Sequence, residues 1–114
     1  MDKPIKTFIA DHFFLNIYEY GKNVLIFKFD SCCLMKFEKI QEFIDEYYKE
    51  HGKFKMLIEC SNIEHCVDMH WDRNYRMIDK MAVLSDKTNI FANVNRITIK
   101  VFTNKTKALD WLLI

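Results

Sequence analysis

Residues 36–62, KFEKIQEFIDEYYKEHGKFKMLIECSN, constrain the fold more tightly than any other stretch of the chain. Phe37, Ile40, Phe43, Ile44, Tyr47 and Tyr48 recur at three- and four-residue spacing. Glu38, Lys39, Gln41, Glu42, Asp45, Glu46 and Lys49 fill the opposite side, so one face of a helix is built to be buried. Asp45 and Lys49 stand four apart in the favourable acid-first order, and Gly52 sits where a left-handed C-terminal cap is wanted. The helix is therefore predicted to stop at residue 51 or 52. Beyond it, Phe54, Met56 and Ile58 alternate with Lys55 and then Glu59, while Leu57 makes the middle apolar on both sides. That pattern predicts an inner strand over 53–60, covered by helices on both faces. A helix that hands over to an inner strand is the building unit of an α/β sheet.

The flanking segments extend the same pattern. Phe13, Leu15 and Ile17 form an apolar row interleaved with Phe14, Asn16 and Tyr18, which predicts a first strand over 12–20. Gly21 and Lys22 predict a two-residue hairpin turn, and NVLIFKFD (23–30) is apolar enough for a central return strand. Val67, Trp71, Tyr75 and Ile78 keep helical spacing, which predicts a second helix over 67–80, followed by a strand over 81–84. Asp86 is placed to cap a short helix carrying Ile90, Phe91 and Val94. Ile97, Ile99 and Val101 alternate with Thr98 and Lys100 as a last strand, and Thr103 or Asn104 caps a final helix buried through Ala108, Leu109, Leu112 and Leu113. The order is ββαβαβαβα: an α/β fold with a mostly parallel sheet and an antiparallel N-terminal edge strand.

A chain of 114 residues, half of them hydrophobic, supplies one core, so residues 1–114 are expected to form a single small domain. Seventeen basic residues against sixteen acidic ones create no global field to attract DNA or RNA, and no nucleic-acid partner is expected. The opening MDKPIKTFIADHFF lacks a long apolar core with a small-residue cleavage site, and no window reaches membrane-spanning length. The expected location is the cytoplasm. In that compartment Cys32, Cys33, Cys60 and Cys66 read as free thiols rather than as a disulfide framework.

Four stretches, NVLIFKFD, KFKMLIECSN, KMAVLSD and above all ITIKVFTNKTKALDWL, resemble the SpoIIAA-like group of small domains, which includes STAS domains and related bacterial proteins. The resemblance runs from about residue 23 to 113. It implies a non-enzymatic module that binds a protein partner or a small apolar or anionic ligand, and no cofactor is expected. In the anti-sigma-factor antagonists of that group, a phosphorylatable serine lies in an Asp-Ser-Ser-Gly-like turn after the third strand. Here the corresponding region reads SNIEHCVDMHW, with no serine at the helix start and no glycine after it. The phospho-switch is therefore not carried over.

Chemistry-bearing side chains concentrate in 59–72, which begins at the carboxyl end of the inner strand, where open α/β sheets place their ligands. Ser61, Asn62, His65, Asp68, Trp71, Tyr75 and Asp86 are the expected partner- or ligand-binding residues. Trp71 and Tyr75 could line an apolar ligand pocket or a homodimer surface, although ordinary core packing explains such a pair more often. Cys66 and His70, four apart, with Cys60 and His65, have the residue types of a zinc or thiol site, but no paired CxxC spacing accompanies them. Scattered thiols and surface histidines are the simpler account, and no metal or catalytic residue is assigned. Glycines at 21 and 52 alone exclude Walker and dinucleotide loops. Lys100, Lys105 and Lys107 read as a solvated edge.

Overall fold

The computed structural model describes residues 3–10, 13–31, 37–60, 71–85 and 94–114. Among these residues six strands form one sheet in strictly sequential order: β1 (Lys6–Ala10), β2 (Phe13–Tyr20), β3 (Val24–Ser31), β4 (Phe54–Cys60), β5 (Ile78–Leu84) and β6 (Thr98–Phe102). The β1–β2 and β2–β3 pairings are antiparallel, and the β3–β4, β4–β5 and β5–β6 pairings are parallel. Among the described residues two helices lie against it, α1 (Phe37–His51) and α2 (Lys105–Leu112). The expected α/β architecture, with a mainly parallel sheet and an antiparallel N-terminal side, is what the chain adopts.

The organising helix and strand form as their residues dictate. Ile40, Ile44 and Tyr47 of α1 are buried against Leu25, Phe27, Met56, Ile58, Met81 and Val83, which point to one face of the sheet. Each fully buried isoleucine contributes roughly 1.5–3 kcal/mol of transfer free energy. Gly52, with φ +80°, ends α1 in the left-handed conformation, and its N–H donates to Tyr48 O at 2.7 Å. The other face carries Val24, Ile26, Leu57 and Ala82, and α2 covers them with Ala108, Leu109 and Leu112. Asn104 caps α2: its side chain accepts the Lys107 N–H at 3.0 Å.

Four expectations are corrected. A strand, β1, precedes the one expected to open the sheet, so the antiparallel edge is β1; its Phe8 turns inward while Ile9 is 72% exposed. The hairpin loop has three residues, because Tyr20 pairs with Val24, and both Gly21 and Asn23 take left-handed φ values of 57° and 60°. Asn23 is held there by donating to His51 O and Lys53 O at 3.4 and 3.3 Å, which ties the hairpin to the end of α1. The helix expected over 67–80 is, among the described residues, a 3-10 turn at Trp71–Asn74, and β5 starts at Ile78. Position 78 satisfies both the helical spacing and an inward strand position, and the ladder to β4 and β6 with burial of Met81, Ala82 and Val83 decides for the strand. The last strand is shifted by one, to Thr98–Phe102. The short helix expected after Asp86 falls outside the described residues, apart from Val94, so the described order is βββαβ, a 3-10 turn, then ββα.

Candidate functional site

The parallel strands share a carboxyl end, where β4 stops at Cys60, β5 at Leu84 and β6 at Phe102. The backbone there is closed by the Ser85 N–H donating to Phe102 O at 2.9 Å. The start of α2 belongs to the same edge. Lys105 in its first turn opposes the helix dipole, and Glu59, next to last in β4, answers with an ion pair at 2.9 Å. Glu59's side chain is only 16% exposed, so this pair is better shielded than the Lys53–Asp79 contact at 3.9 Å between two open side chains. Of the three lysines, Lys100 lies over the Phe102 ring, Lys105 pairs with Glu59, and Lys107 is exposed.

Of the expected site residues, Ser61, Asn62, His65, Asp68 and Asp86 lie outside the described residues, as do Cys66 and His70. Cys60 is the last residue of β4, and Ser61 and Asn62 follow it directly in the chain. Trp71 and Tyr75 are described, and they part company with that edge. Trp71 is 0% exposed and meets Phe27 edge to face at 5.9 Å, so its ring fills the core. Tyr75 lies in the turn that enters β5, at the amino end of the parallel strands, half-buried against the same core. Among the described residues no group of three or more His, Cys, Asp or Glu side chains is arranged to hold a metal.

Two features escaped the sequence reading. A cleft of about 290 Å³ opens beside the end of α1, lined by Ile5, Glu19, Phe43, Glu46, Tyr47 and His51, together with Glu50. The Tyr47 hydroxyl donates to Glu19 Oε2 at 2.8 Å, and the His51 ring stacks on Tyr47 at 4.1 Å. Burial pushes the Tyr47 phenol well above its ordinary range, and the hydrogen bond to Glu19 and that carboxylate's charge push it further. Neither Trp71 nor Tyr75 lines this cleft. The second feature is a polar seam under α1: Gln41 Nε2 donates to Asn74 Oδ1 at 2.6 Å and to Asp45 Oδ1 at 3.0 Å. Asn74 is fully buried, and among the described residues its Nδ2, like Gln41 Oε1, has no hydrogen-bond partner. A lone Asn behind a Trp gives no periodic signal by which sequence alone could place it in the core.

The SpoIIAA-like family model matches residues 34–113, from the start of α1 through α2. The chain belongs to the SpoIIAA-like family. Comparison with curated proteins and with solved structures finds no match. Domains of this family are typically protein-interaction or regulatory modules. The match spans β4, β5, β6, α1 and α2, so the carboxyl ends of β4, β5 and β6 belong to the SpoIIAA-like part of the chain, whereas β1, β2 and β3 precede it. No helix among the described residues is long and apolar enough to cross a membrane.

Proposed function

We propose that this SpoIIAA-like chain, a single domain over residues 1–114, is a non-enzymatic cytoplasmic module that recognises a protein partner through the segments following β4 and β5. The observation that carries the reading is the carboxyl-end edge itself. Two adjacent inner strands of a family domain end side by side at Cys60 and Leu84 and lead into segments rich in polar side chains, SNIEHCVDMH and DKTNIFAN. Ser61, Asn62, His65, Asp68 and Asp86 are the proposed contacts, and the buried Trp71 is the footing that anchors the first segment to the core. Open parallel sheets present their binding groups at this end because the strand termini diverge there and leave chain outside the ladder. The Glu59–Lys105 pair and the Asn104 cap hold together the rim from which the two segments start. Replacing Ser61, His65 and Asp68 together by alanine tests this in co-purification from the native host. A discrete partner recovered with the natural chain and lost with the triple variant supports the surface; unchanged recovery would remove it.

A further inference from the structure

The chain contains only three arginines, Arg73, Arg76 and Arg96, against fourteen lysines, and all three sit on the segments that enter β5 and β6 at the amino end of the parallel sheet. Lysine suffices where only charge is needed. Arginine differs in having a planar fork that stacks on aromatic rings and grips oxyanions with two parallel hydrogen bonds. Here the ring is Tyr75. The Arg96 guanidinium lies 4.9 Å from its centroid and the Arg76 guanidinium 5.4 Å, and Arg76 Nε also donates to the Tyr75 hydroxyl at 2.9 Å. Tyr75 is itself packed against the main core, so the platform does not move freely. Asp72 fixes the other side: its Oδ1 accepts the backbone N–H groups of Asn95 at 3.1 Å and Arg96 at 2.7 Å, which binds the approach to β6 onto the 3-10 turn.

Among the described residues these guanidiniums are positioned with most of their donors uncommitted. Each carries five N–H donors. Arg76 has committed one of them, to Tyr75, and among the described residues no side-chain donor of Arg96 has an acceptor. Neither forms an ion pair with a described carboxylate. Two pre-oriented forks sharing one ring, on a chain of formal charge only +1, concentrate cation locally without creating a general polyanion surface. The aromatic on which a nucleic-acid base would stack already carries the guanidiniums, which favours an acidic polypeptide over nucleic acid.

We propose that Arg76, Arg96 and the Tyr75 ring form an oxyanion-gripping surface that takes an acidic segment of a protein partner. It lies at the end of the sheet opposite Cys60 and Leu84, so it stands or falls independently of the carboxyl-end contacts. The test is a titration of the full, ¹⁵N-labelled chain followed at its three arginine Nε resonances. Hexaglutamate shifts Arg76 and Arg96 saturably, and hexaglutamine does not. Changing Arg76→Lys and Arg96→Lys together keeps the net charge but removes the forks, and weakens hexaglutamate binding by about tenfold or more with the circular dichroism unchanged. Should the double variant not fold, Arg96→Lys alone carries the test, since Arg96 is exposed. The proposal is overturned by an absence of saturable shifts, by equal binding to the lysine variant, or by tighter binding to a single-stranded oligonucleotide than to hexaglutamate.

Discussion

Replacing Trp71 by alanine separates a packing role from a binding role for the residue that tryptophan-rich sites make most tempting. The indole is 0% exposed and stands edge to face with Phe27 at 5.9 Å, in the same cluster as Ile40, Ile44 and Ile58. Truncating a buried aromatic to alanine costs about 3–5 kcal/mol through lost transfer free energy and the cavity left behind. The edge-to-face pair accounts for about 0.5–1.5 kcal/mol within such a loss. Against a total stability of about 5–15 kcal/mol this leaves a folded but weakened protein. At about 4 °C per kcal/mol for a chain of this size, the midpoint falls by about 12–20 °C. Thermal unfolding followed by far-ultraviolet circular dichroism measures the midpoint and urea unfolding the free-energy loss, and Trp111 remains as a fluorescent reporter. A loss under about 1 kcal/mol would refute the reasoning, because an exposed indole in a ligand pocket or dimer surface would cost no more than that.

Further expectations follow from single contacts. Gly52→Ala costs roughly 1 kcal/mol purely through backbone strain at φ +80°, since nothing lies within 4 Å of the added carbon; thermal unfolding reads it directly. Asn104→Ala removes the α2 cap and costs about 1 kcal/mol, and Asn104→Asp retains most of it. A double-mutant cycle on Glu59→Gln and Lys105→Met gives a coupling below about 1 kcal/mol that shrinks with added salt. Tyr47→Phe changes the alkaline limb. Because the native phenol holds its proton above the ordinary value of about 10, the unfolded chain releases it first, so stability falls as pH rises past that value, by at most about 1.4 kcal/mol per pH unit. The phenylalanine variant lacks that portion of the slope, and parallel urea titrations at neutral and alkaline pH show whether it does.

Much of this architecture is legible in the sequence because its elements satisfy one pattern only. Phe37–His51 is helical at every buried position, and Gly52 terminates it without competition. Asn104, standing before Ala108, Leu109 and Leu112, signals α2 equally well. The region after β4 was harder because Trp71, Tyr75 and Ile78 keep a helical interval by coincidence, while the strand that claims Ile78 gains its stability from partners distant in sequence, Phe54 on one side and the β6 ladder on the other. Lys6–Ala10 is hidden for a related reason: a five-residue edge strand with Ile9 facing out has too little alternation to announce itself. Arg76 and Arg96 are separated by a whole strand, so only the fold brings them to one ring.

The proposal that this SpoIIAA-like domain meets its partner at the carboxyl ends of β4 and β5 is tested most directly by site-specific photo-crosslinking in the native host. A photoreactive residue is placed in turn at Ser61, at His65 and, as a control, at Lys22 in the exposed hairpin loop at the other end of the sheet. One discrete adduct of the same mass from positions 61 and 65, and none from position 22, is the result the account predicts. Adducts from position 22 with none from 61 or 65 would contradict it.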